Sequence, residues 1–174
     1  MCIRDSPGLV GELALELIGD ITTLTDRIQV LEGELATRTA TLAPRLLELD
    51  GCGPLSAAKI LAETANVTRF RSEACFAMHA GVAPIPASSG RTDRHRLARG
   101  GNRQLNAALH RIARTQARMP TSLGHAYYQR RIAGPDKDKD AIRALKRRLA
   151  RVVYNLLQAP DTTATATQPR HQAA

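Results

Sequence analysis

An all-α fold is predicted by three features of this 174-residue sequence. Apolar residues make up 43 % of it and are mostly Leu, Ile, Val and Ala; aromatics make up only 3 %, with no Trp; and an apolar stripe of helical spacing runs through the first forty residues. Ala and long unbranched side chains lose least on entering a helix, whereas strands favour aromatic and β-branched residues. A β-sandwich or barrel is therefore disfavoured. The architecture expected is a long N-terminal coiled-coil helix followed by a small helical domain that contains a helix-hairpin-helix. No apolar run approaches the roughly 20 residues that span a bilayer. Met1 to Pro7 carries Arg4 and Asp5 without the apolar core of a secretory signal. A cytoplasmic protein with no membrane contact is the expectation.

The stripe consists of Val10, Ala14, Leu17, Ile21, Leu24, Ile28, Leu31 and Leu35, at alternating steps of four and three, with Leu42 continuing the frame. That is the a/d seam of a coiled coil, which needs a second helix to cover it. The covering helix would come from the same chain or from a second copy, which makes a homo-oligomer the expected state. A long helix lying on the C-terminal part is the other arrangement. Gly19 and Gly33 fall outside the seam and cost helicity, about 1 kcal/mol each. The acids of this segment, Glu12, Glu16, Asp20, Asp26, Glu32 and Glu34, read as a solvated face and not as a metal cage.

Next comes a helix, a Gly-x-Gly turn and a second helix over residues 46–64. Gly51 and Gly53 are placed to permit positive φ, Pro54 suits a first helical turn, and Ala57 with Ala58 allow close helix approach. A helix-hairpin-helix of this kind aims backbone N–H groups at a phosphate; an ordinary αα-hairpin that binds nothing has the same outline. Ser72 opens a short helix through Ala80, on which Cys75 and His79 read as packing residues. Asn102 caps a helix whose buried stripe is Leu105, Ala108, Leu109, Ile112 and Ala113. A helix with Tyr127 and Tyr128 at an interface follows, Gly134-Pro135 ends it, and a last helix runs from about Asp138 to Leu157. In that helix Ile142, Leu145, Leu149, Val152, Val153 and Leu156 turn inward, and Arg143, Lys146, Arg147, Arg148 and Arg151 turn out. The divisions expected are residues 1–45, 46–157 and a disordered Thr-, Ala- and Gln-rich tail over 158–174.

Charge separates these parts. Residues 1–66 hold 5 basic and 10 acidic side chains, whereas residues 67–174 hold 20 basic and 6 acidic ones. A basic region of that density attracts a polyphosphate through counterion release. Cys2, Cys52 and Cys75 are odd in number and far apart, which excludes a disulfide framework and a Cys-x-x-Cys metal site, so no metal or cofactor is expected in these residues. The long segment over residues 81–101 concentrates the cations: Arg91, Arg94, Arg96 and Arg99, followed by Arg103, face the single acid Asp93. Guanidinium groups fork onto phosphate oxygens. His95 in this segment reads as a phosphate or solvent contact. Ser88-Ser89-Gly90 lies in the same segment, and a serine attacks phosphorus when surrounding cations stabilise the developing charge.

Several motifs occur in a fixed order: Leu49-Asp50-Gly51-Cys52-Gly53, Arg69-Phe70-Arg71-Ser72, Ala80-Gly81-Val82-Ala83-Pro84, Ser88-Ser89-Gly90, Arg99-Gly100-Gly101-Asn102-Arg103-Gln104-Leu105 and Ala126-Tyr127-Tyr128-Gln129-Arg130-Arg131. Together, over about residues 46–157, they resemble the C-terminal domain of the insertion-sequence one-ten family of bacterial transposases. The resemblance implies a recombinase that cuts and rejoins DNA, guided by a structured RNA from the element's own end. It implies that Ser89, directly before the motif glycine, is the nucleophile, and that Ser88 is not. It implies that Arg91, Arg94, Arg96, Arg99 and Arg103 hold backbone phosphates of DNA or RNA, with Gly51 and Gly53 in the hairpin. Family members also carry an N-terminal RuvC-like domain whose acidic residues bind divalent metal (Mg), which these residues do not include. The expectation is a C-terminal fragment that binds nucleic acid without completing the reaction alone. The rival is a non-catalytic helix-hairpin-helix module.

Overall fold

A computed structural model of the chain describes residues 8–88, 95, 96, 98 and 100–159. Seven α-helices and one two-stranded antiparallel pair account for most of these residues, so the fold is all-α as predicted. The chain divides into two compact units, Met1–Arg38 and Thr39–Ala174. The expected disordered tail lies outside the described residues from 160 onward.

Helix α1 spans Leu9–Leu42 without a break at Gly19 or Gly33. Four of its threonines, Thr22, Thr23, Thr25 and Thr37, donate their hydroxyls to the carbonyls of Ile18, Gly19, Ile21 and Gly33, one turn back. This satisfies groups that would otherwise compete with the helix backbone. Most seam side chains stand open, Val10 80 % exposed and Ile21 63 %, whereas Ala14 and Leu35 are half-buried.

The second unit is built around α5 (Arg103–Arg118), which packs against α3 (Pro54–Thr64), α6 (Leu123–Ile132) and α7 (Asp138–Gln158). The short helices α2 (Pro44–Leu47) and α4 (Glu73–His79) lean on α7. All five residues of the stripe predicted on α5 are buried; of the six predicted inward on α7, Ile142, Leu145, Leu149 and Val153 are buried and Val152 and Leu156 half-buried. Small core residues such as Ala57, Ala77, Ala80, Ala113 and Ala150 let the helix backbones approach closely. Among the described residues, ring-to-ring contacts gather in one corner. Phe70 meets Phe76 edge-on at 5.3 Å, Tyr154 lies 5.8 Å beyond Phe76, and the Tyr154 hydroxyl donates to the Phe70 carbonyl at 3.1 Å. Across α4 and α7, Arg151 Nε donates to Glu73 Oε2 at 2.6 Å; this hydrogen bond holds the Glu73 carboxyl below its usual range and raises Arg151.

The predicted caps are present. The Ser72 hydroxyl accepts from Cys75 N and the Asn102 side chain from Leu105 N. Cys75, expected to pack, is instead exposed, next to the buried Phe76 and Ala77 of the same helix. His79 is half-buried, 5.1 Å from the Phe70 ring. The buried thiol is Cys52, whose pKa burial pushes up to about 11.

The sequence predicted no strand. The structure pairs β1 (Ile85–Pro86) with β2 (His95–Arg96), Ile85 opposite Arg96 and Pro86 opposite His95. Each strand is two residues long, too short for alternation to register, and a proline is tolerated because neither strand is central.

Candidate nucleic-acid interface

The predicted site comprises eight residues, of which the structure describes four. Ser89, Arg91, Arg94 and Arg99 lie outside the described residues. The other four, Gly51, Gly53, Arg96 and Arg103, are distributed along α5 and beyond it.

Gly51 has φ +75°, and a Cβ there would meet the Thr115 side chain at 3.0 Å. The hairpin turn is thus pressed onto the C-terminal half of α5. Gln116, buried on the same helix, donates Nε2 to the Asp50 carbonyl at 2.7 Å and fixes the turn there. Cys52 N is spent on the Leu49 carbonyl. Gly53 does not take the positive φ expected of it. It is the extended residue before α3 (φ −75°), exposed, with open space where a Cβ would go. The need for glycine is therefore structural at Gly51 and absent at Gly53; what faces solvent at this turn is the start of α3. Arg103 opens α5 at its other end, twelve residues from Thr115, which is about 18 Å along the axis at 1.5 Å per residue. It is exposed.

Arg96 stands on β2, and with it begins a second grouping that sequence reasoning missed. A cavity of about 600 Å³ lies between the β-pair, α6 and α7, with Arg96, Arg131, Arg143, Lys146 and Arg147 among its lining residues. Lys146 and Arg147 were expected to point away from the interior; both are half-buried. The reason is tertiary. The segment Gly81–Pro84 and the β-pair fold over the α7 face that carries them, which no periodicity announces.

Asn106 organises this region and was also missed. Its Nδ2 donates to the carbonyls of Ala80 (2.9 Å) and Gly81 (3.1 Å), and its Oδ1 accepts from Lys146 Nζ at 2.6 Å. One side chain thereby ties the start of the 81–101 segment to α5 and orients a cation of α7. Its position beside the Asn102 cap was the only available hint. Burial, and after it the neighbouring Arg143, lowers the Lys146 pKa. One turn further along α5, burial first and then Lys146 and Arg114 lower that of His110.

Tyr127 and Tyr128 lie at a helix interface as expected. The Arg148 guanidinium sits 5.0 Å from the Tyr127 ring centroid, and the Tyr128 hydroxyl donates to Asp138 Oδ1 at 2.6 Å, which raises its pKa. His95 on β2 is exposed. Among the described residues no three His, Cys, Asp or Glu side chains converge as metal ligands, and no helix is long and apolar enough to cross a membrane.

Comparison with known proteins gives this surface a context. The sequence profile described as "Transposase IS116/IS110/IS902 family" matches residues 43–129. A "Probable family 20 transposase" of Pseudomonas aeruginosa is 32 % identical over 64 % of this chain and 34 % of its own length. An insertion element IS116 protein of 44.8 kDa from Streptomyces clavuligerus is 27 % identical over 89 % of the chain and 41 % of its own. An insertion element IS110 protein of 43.6 kDa from Streptomyces coelicolor is 28 % identical over 82 % of the chain and 36 % of its own. The chain therefore spans between 34 % and 41 % of the length of these curated relatives.

Proposed function

Because the chain belongs to the Transposase IS116/IS110/IS902 family, we propose that it forms the nucleic-acid-binding, serine-bearing part of a cytoplasmic DNA recombinase. The observation that carries this reading is the gathering of cations from β2, α6 and α7 next to the segment that holds Ser89. In a cation-rich site the Ser89 hydroxyl attacks a DNA phosphorus. The Oγ–P bond forms, the bond to a strand oxygen breaks, and the Oγ proton leaves with that oxygen as a new strand hydroxyl. Attack by another strand hydroxyl on the phosphoserine ester reverses the exchange and rejoins DNA. Guanidinium groups of Arg91, Arg94, Arg96, Arg99 and Arg103 hold flanking phosphates of DNA or of a structured guide RNA. The exposed start of α3 after Gly53 adds a backbone contact at the other end of α5.

The open seam of α1 supports a pairing of that helix with its counterpart in a second copy, since the seam cannot be covered by the helix that bears it. The divalent metal that the resemblance implies finds no ligand set among the described residues: the acids of α1 are all exposed on one straight helix. No step here runs through a metal.

The test uses the complete protein with element DNA. Ser89→Ala should abolish strand transfer while binding persists; unchanged transfer would remove Ser89 from the reaction and leave a non-catalytic binding module. Replacing both Arg96 and Arg99 by Ala should reduce the salt slope of binding by about 2, at roughly one counterion per phosphate contact.

A further inference from the structure

Two cations at the centre of α7 are withdrawn from water without a carboxylate partner among the described residues. Lys146 Nζ has only the Asn106 amide oxygen, and Arg147 Nη1 is buried with no hydrogen-bond partner. The cavity they line contains two carboxylates against five Lys and Arg side chains: Asp136 Oδ2 lies 2.5 Å from Arg131 and is otherwise without a hydrogen bond, and Asp140 accepts from Arg143 at 2.7 Å. Glu73, whose carboxylate feels Arg147 more weakly, gives its Oε2 to Arg151. Lys146, Arg147 and, at the rim, Arg96 are the surplus. Cations taken out of water are costly unless an anion meets them, so the anion belongs in the cavity.

The rest of the lining is of another kind: Val82, Ala83 and Pro84 are apolar, as is the body of Tyr127, whose ring also carries the Arg148 guanidinium. About 600 Å³ falls in the range of small-molecule sites and far exceeds what one phosphate needs. An anionic end joined to a flat apolar body is the chemistry this space matches.

We propose that the cavity receives one unpaired nucleotide of a bound strand, its phosphate on Lys146 and Arg147 and its base against Pro84 and Tyr127. The proposal rests on the nucleic-acid reading above and is independent of Ser89. Aromatic and apolar surfaces accept any base by stacking, so the pocket holds a strand in register without reading its sequence.

Calorimetric titration of the 174-residue chain tests it. dAMP should bind at least tenfold more tightly than inorganic phosphate, and deoxyadenosine without phosphate should bind at least tenfold more weakly than dAMP. Lys146→Met and Arg147→Met, which keep much of the side-chain volume and remove an uncompensated charge, should each weaken dAMP at least tenfold with unfolding midpoints unchanged or raised; Ser89→Ala should leave dAMP binding as it is. A short single strand of about ten nucleotides should displace dAMP more effectively than a blunt duplex of the same length. Equal binding of dAMP and phosphate overturns the base wall, and undiminished binding by both charge variants overturns the cation wall. Displacement by free nucleotides but not by the strand overturns the strand as the source. Failure of dAMP binding with strand transfer intact sinks this inference alone, whereas dAMP binding beside full activity of Ser89→Ala sinks only the catalytic reading.

Discussion

Gly101 lies against Gly81, so close that a Cβ on Gly101 would fall inside van der Waals contact with the Cα and N of Gly81. Gly81 itself has φ +65°, and next to it Asn102 N donates to the His79 carbonyl at 2.6 Å. The two ends of the 81–101 segment are thereby clasped at the start of α5. Both ends of a segment that carries candidate reactive side chains are thus fixed to one place.

Gly101→Ala should cost more than about 2 kcal/mol in urea unfolding, since backbone and not a yielding side chain would have to move. Gly33→Ala should act in the opposite direction. It lies within α1 with nothing near its missing Cβ, and alanine should add about 1 kcal/mol of helix stability, read as helicity on warming.

Asn106→Ala should destabilise by about 2–3 kcal/mol, because it strands two carbonyls and a half-buried ammonium. In the background of Lys146→Met, which does not itself lower stability, the same change should cost about 1 kcal/mol less, because one of the groups it strands is already gone. Strict additivity in a double-mutant cycle would separate the two residues.

Phe76 is fully buried between Phe70 and Tyr154. Phe76→Ala should cost about 3–5 kcal/mol, read as a lowered unfolding midpoint. Tyr154→Phe, which removes the hydroxyl that donates to the Phe70 carbonyl and accepts from Gln158 Nε2, should cost about 1 kcal/mol in the same measurement.

His110 carries a pH signature. Its folded-state pKa lies below the unfolded value near 6.5, so the unfolded chain binds the proton more tightly. Above 6.5 the group contributes nothing to pH dependence; as pH falls below that value it destabilises, until the folded group is protonated too. His110→Asn should unfold at the same temperature as the parent at pH 8 and above it near pH 5. A gap between the two that closed on acidification would contradict the sign.

Periodicity made the helices legible. The α1 seam, the α5 stripe and the inward face of α7 are repeated patterns of apolar side chains, and Ser72 and Asn102 announce helix starts by local chemistry. What periodicity cannot show is which polar face another segment will cover. Lys146 and Arg147 occupy outward positions by helical count and are half-buried because residues far earlier in the chain fold across them. The same limit applies to Gly81 and Gly101, visible singly as loop punctuation but not as partners. At Gly53 the expectation came from a two-glycine pattern of which the geometry needs only the first member.

The Cys52 thiol gives the hairpin turn a clock. Shut beneath α5 and kept protonated by burial, it is out of reach of alkylating reagents as long as the turn remains seated on Thr115, while Cys75 stands ready to react at once. The rate at which Cys52 becomes modified therefore counts excursions of the turn from its bed. Any ligand that grips the start of α3 should slow that count, without a probe having been attached to the chain.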